Sequence, residues 1–383
     1  MNISDYFLAT RKHTQSICQP LTIEDHVVQV EIFASPAKWH LAHTTWFFET
    51  FILKVYASSY SEFHKDYNFL FNSYYNNAGD RVFRANRGNM SRPGVENIYK
   101  YREYVDNAML QLIDNCADDS LEKLITLGIH HEQQHQELLL TDIKYMLGHN
   151  PLFPTYDEDN SLLRHEENEE SGFHTVKEGV YEIGFKGPGF CYDNELGVHK
   201  VYLNEYEISK ALVTNAEYIE FIEDGGYSDF NLWLDAGWSW VKEQEIIAPL
   251  YWHKIKGEWH HFTLNGLQKV AAKSIVKHLS FYEASAFAEW KGMRLPSEFE
   301  WEIAADNFSW GKRWEWTNSA YLPYPNFAKA AGALGEYNGK FMVNQMVLRG
   351  ASIATAPNHS RKTYRNFFQT DARWQFTGIR LTK

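Results

Sequence analysis

The sequence predicts an α+β fold in two parts, a four-helix bundle over residues 1–165 and a strand- and loop-rich domain over 166–383. Three observations predict it. Apolar residues recur at helical spacing in four stretches before Asn150. An acidic, unpatterned segment follows at 155–171 and reads as a linker or solvated surface loop. Beyond Gly172 the pattern turns to short alternating runs, turns and many tryptophans.

Taken in order, the helical stretches are 3–18, 38–56, 95–116 and 120–147, the last two each starting near a capping-type residue. A long irregular connection over 57–93 separates the second from the third. Four helices of this length with one long connection suit a bundle. In the second part, 173–185 and 199–208 alternate like strands, and 280–290 and 297–305 read as short helices. The last of these opens on Pro296-Ser297, with Glu300 at capping-box distance. The loops between these elements could build a site.

Composition narrows the function. Of 383 residues 44% are apolar and 22% charged, which is globular usage. The net charge of −12 argues against a sequence-independent grip on nucleic-acid phosphates. There is no apolar run of about 18 residues and no basic-then-apolar leader, so a soluble, cytoplasmic protein with small-molecule partners is expected. Cys18, Cys116 and Cys191 are too scattered for a disulfide framework or a four-cysteine metal site.

The strongest local signal is His130-His131-Glu132-Gln133-Gln134-His135-Gln136-Glu137. His131 and His135 are four residues apart and leave the same helical face, in the stripe of Leu124, Ile125, Gly128 and Leu138. Two imidazoles in a bundle interior need compensation, from a shared metal ion or from hydrogen bonds within the core. A third ligand is available in Trp39-His40-Leu41-Ala42-His43, where His43 lies in line with Trp39, Trp46 and Phe47. His40 is close to the same face, and spacing does not separate the two. His131-Glu132-x-x-His135 also matches the zinc-protease signature, with Glu132 as general base. Three neutral imidazoles suit iron(II) at least as well as zinc. Glu137, two residues past His135, is turned about 200° away and is a poor ligand.

Together these residues resemble the ergothioneine-pathway sulfoxide synthases (EgtB-like enzymes). In the bundle the resemblance rests on Trp39-His40-Leu41-Ala42-His43 and on His131, His135 and Glu137. In the second part it rests on Val213-Thr214-Asn215, on the run Gly292-Met293-Arg294-Leu295-Pro296-Ser297-Glu298-Phe299-Glu300-Trp301, on Trp314-Glu315-Trp316-Thr317 and on the closing Arg373-Trp374-Gln375-Phe376-Thr377-Gly378-Ile379-Arg380-Leu381. The family implies a DinB-type four-helix bundle joined to a C-type-lectin-like domain of the formylglycine-generating (FGE-sulfatase) type. It implies a mononuclear non-heme iron on His43, His131 and His135. With O2 as co-substrate, it implies C–S bond formation between a thiol and the imidazole C2 of hercynine, with oxidation of sulfur to the sulfoxide. Related synthases act on unmethylated histidine or on a selenosugar, and a zinc hydrolase or a non-catalytic binding protein are the alternatives outside the family.

Two departures are informative. Formylglycine-generating enzymes work through a cysteine pair, and the second part has only Cys191, so it is expected to serve as a substrate-binding scaffold. The family commonly shows a second glycine where Arg349-Gly350-Ala351 has Ala351, which bears on the local turn.

Hercynine carries a trimethylammonium, which aromatic faces recognise. The family match places its carboxylate contact on Asn366, aromatic contacts on Phe367 and Phe368, with Trp374 and Phe376 nearby, and an imidazole contact on Gln134. The thiol carries a carboxylate, and Arg81, Arg84, Arg87 and Arg92 on the long connection look like an anion clamp. Arg87 and Arg92 fit the family pattern best. Oxygen reduction also needs a proton, which a phenol can give. The run Ser73-Tyr74-Tyr75-Asn76 resembles the branch that uses free cysteine, so cysteine is the expected thiol, Tyr74 the expected donor and Tyr75 its neighbour in the site.

Overall fold

A computed structural model of the chain describes residues 2–73, 75, 79–115, 118–157, 166–329 and 338–383. These fall into two compact units, one ending at Asp157 and one covering the described residues beyond it.

The first unit is helical. α1 (Ile3–Cys18) is capped by the Asn2 side chain, which accepts from the Asp5 amide at 2.7 Å. α2 (Ala37–Phe48) runs on through a π-helical turn (Glu49–Leu53) into α3 (Lys54–Tyr56). The expected helix over 38–56 is therefore continuous but wound wider at one turn, a feature that often accompanies functional sites. At that turn the buried Glu49 carboxylate accepts from Tyr60 and Tyr101, both at 2.6 Å, and from the Phe63 amide. The connection expected to be irregular contains α4 (Tyr67–Phe71) and a 3₁₀ turn (Arg84–Asn89). α4 is docked by Trp46 Nε1, which donates to Asn68 at 2.8 Å. α5 (Val95–Asn115) and α6 (Asp119–Gly148) complete the unit. Asp118 caps α6 through the Ser120 amide.

α6 packs against both α1 and α2. That is why most of its middle, from Leu127 to Gln136, is buried on every side and not along a single stripe. Its approach to α2 depends on Gly128, where a Cβ would stand 2.6 Å from the Phe48 ring.

The second unit is built of strands and short helices. β1 (Phe173–Val176) pairs with β4 (Tyr206–Ser209), and β2 (Gly179–Ile183) with β3 (His199–Leu203), all antiparallel. Each expected strand is broken once, yet both halves keep one register and form a single long ribbon. The ribbon's buried face, with Val176, Tyr206 and Ile208, packs on Trp301 and Ala304 of α10 (Glu298–Ala304). α7 (Asn215–Glu223), α9 (Phe281–Trp290) and α10 all open on capping boxes, Thr214 with Glu217, Ser280 with Glu283 and Ser297 with Glu300. α8 (Asp235–Glu243) precedes a meander of β5 (Trp252–Ile255), β6 (Glu258–Thr263) and β7 (Gly266–Lys269). The remaining sheet has the order β10 (Asn366–Phe368), β9 (Met346–Gly350), β8 (Trp314–Ala320), β11 (Thr377–Gly378).

The motifs that marked this unit in the sequence form its interior. Arg380 bonds both Glu315 oxygens at 2.6 and 2.8 Å, and Trp301 Nε1 reaches the same carboxylate. Arg365 bonds Glu298 through two nitrogens, and Arg349 bonds Glu302. Gly350 takes the left-handed φ of 87°, whereas Ala351 does not have a positive φ, so the alanine there is accommodated without strain.

Candidate metal centre

His43 on α2 and His131 and His135 on α6 converge inside the first unit, with one ligand-type atom from each lying within 4.8 Å of the others. All three are buried. Helical spacing turns His131 and His135 to one side, and Gly128, one turn earlier, lets α2 come close enough to add His43.

Each ring is held. His43 lies between two indoles of its own helix, Trp39 at 4.4 Å and Trp46 at 5.4 Å, with interplanar angles of 12° and 17°. Its Nδ1 bonds the Phe71 carbonyl at 2.6 Å. A carbonyl only accepts, so the proton sits on Nδ1 and the Nε2 lone pair is bare. That Nε2 is buried with no hydrogen-bond partner among the described residues, which would cost about 1–3 kcal/mol if left so. His135 Nδ1 faces His40 Nδ1 at 2.9 Å. The Phe47 ring lies 4.6 Å from that of His131.

Burial pushes the His131 imidazole down to about 3. It also holds His43 and His135 well below the usual range, with neighbouring imidazoles adding to the effect. All three are neutral at pH 7, the form that binds metals. A buried trio of neutral imidazoles, one with an unsatisfied nitrogen, fits a divalent transition ion.

Glu132 takes no part. Its carboxylate is fully buried on another face of α6, where it accepts from Arg11 at 2.8 Å, from Thr14 at 2.5 Å and from Arg102. Burial alone would raise this carboxyl, but Arg102 and Arg11 outweigh it and hold it at about 2. The zinc-protease reading, which needs Glu132 beside the metal as a base, is overturned by these ion pairs.

The other expected site residues are placed as follows. Tyr75 is buried, its ring 6.5 Å from His131 and 5.6 Å from Trp46. Tyr74 lies outside the described residues. Arg87 is buried, donates to Ser35 and Ser73 at 2.9 and 3.0 Å, and sets its guanidinium 3.4 Å over Trp39. The four arginines are thus not one free clamp: Arg84 bonds the Phe33 carbonyl, Arg92 is exposed, and Arg87 alone is buried against Trp39. Gln134 is half-buried on α6. Asn366, Phe367 and Phe368 form β10 of the second unit, all half-buried, with Phe367 stacked on Tyr321 at 4.1 Å. Cys191 is a free cysteine whose thiol burial pushes up to about 11, in keeping with a scaffold and not a nucleophile.

Sequence reasoning missed three contributors. Asp142 bonds His40, and its position two turns past His135 was a readable signal. Asn72 clamps Tyr75 through both backbone groups, at 3.2 and 3.0 Å. The Phe71 carbonyl has no side-chain signature at all.

Residues 159–313 match the sulfatase-modifying factor enzyme 1-like domain. The chain is 27% identical over 350 residues to the hercynine oxygenase of Mycolicibacterium smegmatis, covering 78% of this chain and 80% of that one. It is 26% identical to the hercynine oxygenase of Mycobacterium tuberculosis, again covering 78% and 80%. A formylglycine-generating enzyme of Streptomyces coelicolor is 30% identical over 142 residues, or 34% of this chain and 45% of that one. Among the described residues no helix is long and apolar enough to cross a membrane. Along most of its length the chain is thus similar to hercynine oxygenases, and within that span residues 159–313 are similar to the sulfatase-modifying factor type of domain.

Proposed function

We propose that this chain is an iron(II)- and oxygen-dependent sulfoxide synthase that joins cysteine to the imidazole C2 of hercynine, in ergothioneine biosynthesis. The observation that carries the reading is the buried trio His43, His131 and His135, all neutral, with His43 Nε2 lacking a hydrogen-bond partner among the described residues. Similarity to hercynine oxygenases over 78% of the chain supports the substrate class.

In the reaction, hercynine, thiol and O2 give the sulfoxide and water. The S–H and C2–H bonds break, the C–S and S–O bonds form, and the second oxygen atom leaves as water. An iron(II) ion on three neutral imidazoles would keep its 2+ charge and open positions, and would supply oxygen activation. The residues of this chain do the rest. Trp39 and Trp46 fix the plane of His43, and the Phe71 carbonyl fixes its tautomer. Arg87, anchored on Ser35 and Ser73, supplies the positive charge that pairs with the thiol's carboxylate. Tyr75, held by Asn72 beside His131, lines the site as the described member of the tyrosine pair from which the proton comes. For the first unit the resemblance implies an imidazole contact at Gln134; for the second it implies a carboxylate contact at Asn366 and trimethylammonium contacts at Phe367 and Phe368. The first unit is on this reading a DinB-type bundle, and the second a C-type-lectin-like scaffold.

Anaerobic reconstitution with iron(II), hercynine and cysteine, then addition of oxygen and mass spectrometry, tests the proposal. Hercynylcysteine sulfoxide is expected, with less product from histidine or γ-glutamylcysteine. Absence of any C–S product with every thiol and either imidazole, from iron-loaded protein, would contradict it.

A further inference from the structure

His40 is buried three residues before His43, and neither of its ring nitrogens is available to an ion. Nε2 lies 3.0 Å from Asp142 Oδ2, and Nδ1 lies 2.9 Å from His135 Nδ1. Asp142 is itself fixed, because the same Oδ2 accepts the Ser35 amide at 2.8 Å, just ahead of α2. Ser35 Oγ in turn accepts from Arg87. α2, α6 and the arginine-bearing turn therefore meet at this carboxylate.

The direction of each bond follows from the donors available. A carboxylate accepts, so the single proton of a neutral His40 ring must sit on Nε2. His40 Nδ1 is then an acceptor, and the only proton that can lie between the two Nδ1 atoms belongs to His135. His135 must therefore be the Nδ1–H tautomer, with its lone pair on Nε2. The chain Asp142, His40, His135 thus does for the second ligand what the Phe71 carbonyl does for His43. Here two side chains stand where His43 has a backbone carbonyl.

We propose that His40 and Asp142 are positioning residues of the metal centre, which together hold His135 in the tautomer and orientation that present Nε2 to the ion. This rests on reading the three histidines as a metal centre. It also gives His40 a role that its spacing in the sequence left open: it is the residue that aims a ligand and not a ligand.

The test is anaerobic binding of iron(II) and of cobalt(II), each measured in competition with a chelator, for wild type, His40→Leu, His40→Gln and Asp142→Leu. Loss of such a neighbour usually costs about 10–100-fold in metal affinity, and His40→Leu and Asp142→Leu are expected in that range. His40→Gln, whose amide offers an acceptor and a donor like the two ring nitrogens, is expected to recover most of the loss. A folded His40→Leu that binds both ions as tightly as wild type overturns the proposal. Wild-type protein that binds neither ion defeats the metal-centre reading itself, and the proposal with it. Should the leucine variants fail to fold, cobalt-loaded wild type supplies the second measurement. His135 Nδ1–H should then appear as a paramagnetically shifted, slowly exchanging proton with a dipolar contact to the His40 ring. A shifted Nε2–H from His135 instead, or exchange at the solvent rate, overturns the assignment.

Discussion

Helix α6 is buried on two faces that treat polar groups in opposite ways. Toward α1 and α5, Glu132 meets Arg11, Arg102 and Thr14, so its carboxylate is fully bonded. Toward α2, His131 and His135 meet a third imidazole, and His43 Nε2 is left without a hydrogen bond among the described residues. Adjacent residues of one motif thus serve different ends. The closed face ties three helices together, and the open face keeps lone pairs for something the protein itself does not supply. The second unit sharpens the contrast, since its buried arginines Arg349, Arg365 and Arg380 all find carboxylates. A buried nitrogen left without a hydrogen bond calls for an explanation, and at His43 Nε2 a bound ion would supply one.

The largest effect should come from the open face. His43→Ala, His131→Ala and His135→Ala are each expected to abolish product in the mass-spectrometric assay, because a three-ligand site cut to two seldom retains a divalent ion. Substantial turnover by any one of them would break the comparison.

The closed face should fail differently. Glu132→Gln leaves the buried Arg102 without its carboxylate and Arg11 with Asp106 alone, and breaking such a buried pair costs about 3–5 kcal/mol. Denaturant unfolding should show that loss, while product formed per bound iron stays at the wild-type level. A normal stability with lost chemistry would restore Glu132 as a catalytic base.

The comparison also shows what could be read from the sequence. Helical periodicity located α1 and α5 closely, because their buried stripes follow from residue type alone, and it located the ends of α6, whose middle is buried all round. The spacing of His131 and His135 was legible for the same reason. The choice between His40 and His43 was not, since residues three apart lie on neighbouring faces and both are buried here. Phe71, Asp142 and His135, distant in sequence, set the two rings apart through their hydrogen bonds. Glu132 stayed open as a base in the alternative zinc-protease reading because its partners Arg11 and Arg102 come from other helices. The π-helical turn at Glu49 was invisible, because a shift in hydrogen bonding leaves no mark on apolar spacing.

A smaller effect should follow on the open face from Tyr75→Phe. If the tyrosine pair supplies the proton, iron and oxygen uptake persist while product shifts from sulfoxide toward cysteine sulfinate, by about tenfold or more in ratio. Tyr74→Phe serves as the parallel variant, and an unchanged ratio in both and in the double variant would remove this loop from the chemistry.

The smallest effect is a difference in acid sensitivity. His131 titrates near 6.5 when unfolded and at about 3 when folded, so the unfolded chain binds more protons between those values. Its contribution is fully present above about pH 6.5 and declines as pH falls toward 3. Glu132, about 2 when folded, contributes fully above about pH 4.5 and loses that contribution on falling toward 2. Metal-free protein should therefore lose stability in two overlapping stages on acidification. His131→Leu should flatten the upper stage and Glu132→Gln the lower one, by denaturant titration across pH.

The most direct measurement is the iron(II) content at equilibrium, under anaerobic conditions, of folded wild type, His131→Ala and Glu132→Gln side by side. The account predicts one iron per chain in wild type and in Glu132→Gln, and none in His131→Ala. Iron retained by His131→Ala, or lost from folded Glu132→Gln, would contradict it.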